Sequence, residues 1–228
     1  MNINKDFSSP LLRAIPLTLV AGAAGFSMLG AAKSPVAAPI APKSAVSSKI
    51  PQNMAVATLG GGCFWSMEAL YKRVKGVQSA TPGYAGGKVA NPTYKQVGSG
   101  QTGHAEALNI VYDPKVISYA DLVEILLTVL DPTTLNQQGA DVGTNYRSVI
   151  FTRNAQEKKV AQQVIQKINA KKIWNAPIVT QVAPIKTFYT AEDYHLNYYD
   201  ANQNAPYCKA VIVPKLEKLR AKVGDKIK

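Results

Sequence analysis

The stretch ATLGGGCFWSMEALYKRV, residues 57–74, decides how this chain is read. Its first three residues close a short apolar run, MAVATL, that predicts a strand. From Cys63 the pattern turns helical, with Phe64, Met67, Tyr71 and Val74 on one face. Gly60, Gly61 and Gly62 stand between the two and allow a sharp turn and close approach of another molecule to the backbone. Strand, glycine turn and helix thus place Cys63, one of only two cysteines, at the first turn of a helix. There the positive end of the macrodipole and unpaired backbone N–H groups favour a thiolate, so the sulfur is expected to be a good nucleophile at neutral pH. Phe64 and Trp65 would stand beside it as an apolar wall suited to a methyl or thioether group. The plainer alternative is a buried structural cysteine between two core aromatics.

Outward from this stretch, strand and helix signals alternate. After a Pro- and Gly-rich segment, TPGYAGGKVANPTY, the run AEALNIVY reads as a strand with Glu106, Leu108, Ile110 and Tyr112 on one face. Ser118 with Asp121 predicts the cap of a helix carrying Leu122, Ile125, Leu126 and Val129, ended by Asp131-Pro132. Asn154 and Glu157 cap a second long helix with Val160, Val164 and Ile168 as its stripe, and Lys171 and Lys172 suit its carboxyl end. APIVTQVAPI reads as a late strand and AEDYHLNYYDANQ as a last helix before Cys208. Alternation of this kind implies an α/β or α+β chain, a two-layer sandwich of helices packed on a mixed sheet.

The 228 residues, 46% of them hydrophobic, suffice for one domain with extensions. Lys5 and Arg13 precede an apolar run, residues 14–32, that ends in small residues, so residues 1–32 read as a secretory signal or, uncleaved, as a membrane anchor. Residues 33–53, rich in Pro, Ala and Ser, read as a linker, and the catalytic unit should run from 54 to 228 with a basic C-terminal tail. Export from the cytoplasm follows, with residues 14–32 as the membrane tether in the anchored form.

The formal charge of +12 is concentrated in the flanks: residues 54–208 hold 14 basic and 11 acidic side chains, whereas 209–228 hold seven and two. That distribution suits a solvated tail and gives no nucleic-acid-binding surface. Two cysteines are too few for a disulfide scaffold, and no Cys/His pairing has metal-ligand spacing, so neither metal nor cofactor is expected.

GCFW, GYAGG, NPTY, TGHAEALNIVYDP, GTNYRS and FYTAEDYH occur in the order found in the A class of peptide methionine sulfoxide reductases, and the chain resembles that family from Met54 to Cys208. The resemblance implies a ferredoxin-like core and thiol-dependent reduction of methionine S-sulfoxide, free or in proteins, through a cysteine sulfenic acid. It assigns Cys63 as nucleophile and Glu106 as acid. The strand face that Glu106 shares with Leu108 and Ile110 suits that role if it is buried, because desolvation favours a neutral carboxylic acid; on an edge strand it would be a surface carboxylate.

By the same resemblance Tyr94 and Tyr146 bond the sulfoxide oxygen, Phe64 and Trp65 form the methyl pocket, and Asp141 organises hydrogen bonds around the site. Cys208 matches the resolving cysteine, and a thioredoxin-type or other thiol serves as reductant to a monomer. The mobile glycine-rich tail of many members is replaced here by KAVIVPKLEKLRAKV, which should pack more firmly. A static Cys63–Cys208 bridge would block the reactive sulfur. Two other readings are a cysteine hydrolase using Cys63 and His195, and an exported binding module with an inert Cys63. His104 and His195 otherwise read as structural hydrogen-bonding residues.

Overall fold

The computed structural model describes residues 50–228. The proposed signal or anchor and nearly all of the linker lie outside them. The folded part opens on β1 (Ala55–Gly60) and α1 (Phe64–Tyr71), separated by the glycine turn. Then come β2 (Val77–Ala85), the short α2 (Tyr94–Gly98), β3 (Ala105–Tyr112) and α3 (Tyr119–Val129). A two-residue hairpin, β4 (Gln137–Gln138) and β5 (Asp141–Val142), leads to β6 (Val149–Thr152), α4 (Ala155–Ala170), β7 (Gln181–Pro184) and β8 (Phe188–Thr190). The C-terminal part holds α5 (Tyr198–Ala201), a π-helical turn (Cys208–Ile212) and α6 (Val213–Val223).

Six strands form one sheet in the order β7-β6-β1-β3-β2-β8, antiparallel throughout except for the parallel pair β6 and β7. Its centre, β6-β1-β3-β2, has the 4-1-3-2 order of a βαββαβ unit, the ferredoxin-like core. The sheet is mixed and the helices pack on it, as the alternation implied.

Burial separates the faces of β3. Leu108 and Ile110 enter the main core with Met67, Leu70, Leu122 and Leu126, whereas Ala105 and Ala107 enter a smaller cluster with Val149, Phe151 and Phe188. Glu106 shares the helix-facing side of β3 and is 1% exposed. The buried alternative for that strand is the one the fold adopts. Both capped helices form as expected: Ser118 and Asp121 close a reciprocal capping box on α3, and Asn154 accepts from Glu157 N on α4.

α1 departs from its one-sided pattern. It ends at Tyr71, before Val74, and every residue except Trp65 is buried, Ser66 and Glu68 included. The sheet covers one side and the C-terminal segment the other, so the whole circumference is interior. Glu68 accepts from Asn197 N at 2.9 Å and ties that segment down.

β2 and β8 carry no clear strand signal, because Pro82 and Gly83 break the β2 pattern. Pro82 is accommodated because its carbonyl accepts from Ala191 N, just beyond the end of β8. Its missing N–H therefore falls on that side and not in the β3 ladder. Gly83 is required by space: a Cβ there would lie 2.3 Å from the Phe188 ring and from the Tyr189 carbonyl. Gly83→Ala should destabilise the fold by about 1–3 kcal/mol or more, as overpacking does, and loosen β8 first. Denaturant midpoints and amide exchange of β8 would measure both.

Two further expectations need correction. The late strand over residues 176–185 is only four residues long. The helix expected over residues 191–203 breaks into a 3₁₀ turn (Asp193–His195) and the one-turn α5, with Asn197 left-handed between them at φ 56°. Tertiary bonds decide this: His195 is held by Trp65 and Asn197 by Glu68, and a continuous helix could not present both.

The tail is docked, as its composition suggested. Leu216, Leu219 and Val223 of α6 are buried, and Ile227 pairs with Val74. Lys75 N donates to Lys226 O, and Lys228 N to Arg73 O, both at 2.8 Å. Pro214 lacks an N–H for an α-helical ladder, which accounts for the wider π turn just before it.

Candidate active site

Cys63 is the N-cap residue of α1 and is 6% exposed. Gly62 before it has φ +92°, and its N–H donates to the Tyr146 carbonyl at 3.1 Å. A Cβ on Gly62 would collide with Gln138, so the turn needs glycine for both conformation and space. Glu106, rising from β3 beneath the start of α1, accepts from Phe64 N at 3.0 Å. The carboxyl thus takes a backbone donor of the first helical turn and lies beside the sulfur.

Burial raises the Glu106 carboxyl to about 8, the bond from Phe64 N working against the rise. Up to that pH the group is a neutral acid with a proton to give. Cys63 differs from expectation. Its thiol is pushed up to about 12, first by burial and then by Glu106, while the Tyr207 hydroxyl and the Trp65 N–H pull it down. The resting nucleophile is therefore a thiol, because in this enclosed position desolvation outweighs the helix terminus.

Aromatic rings close the site. Phe64 lies 6.1 Å from Tyr94, 5.8 Å from Tyr84 and 4.9 Å from His195, centroid to centroid. Trp65 stacks on Tyr198 at 3.7 Å and donates from Nε1 to His195 Nδ1 at 3.1 Å. Tyr94 and Tyr146 pack in the same cluster as Cys63 and Phe64. Burial and the Glu106 charge raise both phenols, Tyr146 to about 12, so both hydroxyls keep their protons as donors. Asp141, on β5, accepts from Tyr207 at 2.9 Å, and that hydroxyl faces Cys63. The fold thus brings Cys63, Phe64, Trp65, Tyr94, Glu106, Asp141 and Tyr146 to one place. Cys208 is elsewhere: it is fully buried in the main core, and both cysteines are free.

Sequence reasoning missed three participants. Tyr207 sits beside Cys208 and holds Asp141. Glu192 accepts from Tyr94 N at 2.9 Å and from the Tyr84 hydroxyl at 2.7 Å, fixing both tyrosines. Tyr84 and Glu192 stand inside GYAGG and FYTAEDYH, but spacing alone gives no sign that they meet. His195, buried and pushed down to about 4 by desolvation, is a neutral spacer among the rings. Its Nδ1 is occupied by Trp65 and its Nε2 lies 3.7 Å from Glu192, so it is not positioned as a base for Cys63. That removes the geometry a Cys63–His195 hydrolase needs. A separate cleft of about 340 Å³ among α3, α4 and α6 shares no residue with this site and is rimmed by the Asp121–Lys226 and Glu124–Lys171 ion pairs.

A reactive sulfur, a neutral carboxylic acid and two phenols around an apolar wall are equipped to take an oxygen from a thioether sulfoxide and protonate it. Comparison with known proteins agrees. Residues 55–227 match the family profile described as peptide methionine sulfoxide reductase. A peptide methionine sulfoxide reductase from Sulfolobus acidocaldarius is 52% identical over 173 residues, 76% of this chain and 97% of that protein. The reduced form of Mxr1 from Saccharomyces cerevisiae superposes with a TM-score of 0.63 at 36% identity, over 69% of this chain and 91% of that one. Methionine sulfoxide reductase A of Corynebacterium diphtheriae gives 0.60 at 32%, over 68% and 77%. The chain belongs to the peptide methionine sulfoxide reductase family and carries out thiol-dependent reduction of methionine sulfoxide.

Proposed function

We propose that Cys63 is the nucleophile of this reduction and Glu106 its acid. The observation that carries the assignment is the buried Glu106 carboxyl on Phe64 N, immediately beside Cys63. The Cys63 sulfur attacks the sulfoxide sulfur while Glu106 gives its proton to the sulfoxide oxygen, and Tyr94 and Tyr146 donate hydrogen bonds to that oxygen. The thiol proton is taken up by the Glu106 carboxylate so formed. Transfer of the hydroxyl to Cys63 releases methionine and leaves a cysteine sulfenic acid, so the substrate sulfur is reduced and Cys63 oxidised by two electrons. Phe64 and Trp65 hold the substrate methyl group. Free and protein-bound methionine S-sulfoxide are both substrates in this reading. Turnover of the two separated sulfoxide epimers with dithiothreitol tests it, with only the S epimer expected to react.

Cys208 then attacks the sulfenic sulfur, forming a Cys63–Cys208 disulfide and water, and a thioredoxin-type dithiol reduces the bridge. Because Cys208 is fully buried, the π turn and the start of α6 must open first. A disulfide needs Cα atoms within about 7 Å, and local opening costs free energy. Cys208→Ser should therefore retain the first turnover, lose most multiple turnover with a thioredoxin-type reductant, and be supported by small thiols that reach Cys63 directly. Quantifying methionine released per enzyme under each reductant checks this. Retention of full thioredoxin-driven turnover would make Cys208 structural.

The enzyme acts outside the cytoplasm as a monomer, released or tethered through residues 14–32. The basic start, apolar run and Pro/Ser linker support this. Cell fractionation with intact-mass analysis of the amino terminus distinguishes a cleaved from an anchored product, and a full-length cytosolic product would contradict both.

A further inference from the structure

The C-terminal helix carries a lysine inward to the reactive cysteine. Lys215, in the first turn of α6, donates from Nζ to Ser66 Oγ at 3.3 Å. Ser66 is fully buried in the first turn of α1, next to the residues that flank Cys63. The Tyr207 hydroxyl faces both Ser66 and Cys63 and is bonded to Asp141. Lys215, Ser66, Tyr207 and Cys63 therefore form one polar line through an otherwise apolar contact between α1 and the tail. An ammonium in such a place is costly unless it has partners. Burial works against its charge, whereas Asp141 and Cys63 work for it.

We propose that Lys215 is a positioning residue for Cys63: its ammonium fixes Ser66 Oγ so that the Ser66 hydroxyl hydrogen is directed to the Tyr207 oxygen and holds that hydroxyl between Asp141 and the sulfur, and its charge offsets the carboxylates that oppose a thiolate. The inference rests on the reading of Cys63 as nucleophile. The titratable and charged groups facing Cys63 are Glu106 on β3, Asp141 on β5, Tyr94 on α2, Tyr146 before β6, and Tyr207 and Lys215 on the tail. Lys215 is the cation in this set. It also lies on the same continuous helical segment as Tyr207 and Cys208. The opening that frees Cys208 therefore withdraws Tyr207 and Lys215 from Cys63. The docked tail is the state that attacks substrate, and the released tail is the state that resolves the sulfenic acid.

The test uses the full chain with Cys208→Ser, which leaves Cys63 as its one thiol. Iodoacetamide alkylation is followed against pH, alongside the rate of the first turnover. Below its midpoint a thiol alkylates in proportion to its thiolate fraction, a factor of ten per unit, partly offset by the higher intrinsic nucleophilicity of a more basic thiolate. Lys215→Met should slow alkylation at pH 8 roughly three- to tenfold, move the profile to higher pH and slow the first turnover by a similar factor. Lys215→Arg, which keeps the charge, should restore most of both. Ser66→Ala cuts the line without removing the cation and should shift the profile the same way, which preserves the test if Lys215→Met does not fold. An unshifted profile in Lys215→Met, or in Ser66→Ala where the former is unfolded, overturns the proposal, and so does an equal loss in Lys215→Arg. Continued reduction by Cys63→Ser would instead overturn the parent reading, which the alkylation profile does not depend on.

Discussion

Cys63→Ser is expected to abolish methionine sulfoxide reduction while the protein remains folded. A hydroxyl is nearly isosteric with the thiol but far less nucleophilic toward sulfur, and it yields no sulfenic acid. The substitution is also structurally mild. The Cys63 carbonyl, which accepts from Ser66 N and Met67 N, is untouched, and serine is a favoured N-cap residue. Turnover with dithiothreitol should fall to background, with thermal unfolding close to that of the parent. Reduction at a comparable rate would remove the nucleophile from the account.

Glu106→Gln should lower the first-turnover rate by roughly 10²- to 10⁴-fold, the range typical of a general acid. Glutamine can still accept from Phe64 N, but it has no proton to transfer. The pH profile adds a signature. With its carboxyl at about 8, the wild type loses its acid and gains a negative charge beside Cys63 as pH rises through that value, so its first-turnover rate should decline there. The decline should be missing in Glu106→Gln.

The Glu106→Gln substitution should change stability in the opposite sense to activity. A carboxyl whose folded pKa is raised favours folding most below its unfolded value of 4.5, and that contribution is lost as pH rises through about 8. Above pH 8 the glutamine variant should thus gain on the wild type by a few kcal/mol, at about 1.4 per unit of raised pKa. Unfolding midpoints at pH 5 and pH 9 measure the crossover. The same enclosure that keeps the acid protonated for chemistry makes its ionised form costly to the fold.

How much of this was legible in the sequence depended on whether the signal was local. The helix N-caps at Ser118 and Asn154 and the alternation of β3 are local, and the structure keeps them. β2 was hidden because Pro82 and Gly83 fit a strand only when Ala191 and Phe188 lie alongside, and those partners come from the far end of the chain. The helix expected over residues 191–203 failed for a related reason, since contacts to α1 at Trp65 and Glu68 override its periodicity.

The site divides the same way. Cys63 stood out through its glycines and aromatics, whereas Glu192, Tyr84 and Tyr207 act through bonds that only the fold creates. The raised Cys63 thiol was missed because a helix terminus is visible in sequence and enclosure is not.

Reduction by this mechanism must leave a sulfenic acid on Cys63, and trapping it is the most direct test. The Cys208→Ser protein, given one equivalent of the S epimer of methionine sulfoxide, is treated with dimedone, digested and sequenced by mass spectrometry. One equivalent of methionine should be released and a dimedone adduct should form on Cys63, absent with the R epimer and absent in Cys63→Ser. Methionine formed without modification of Cys63 would contradict this mechanism.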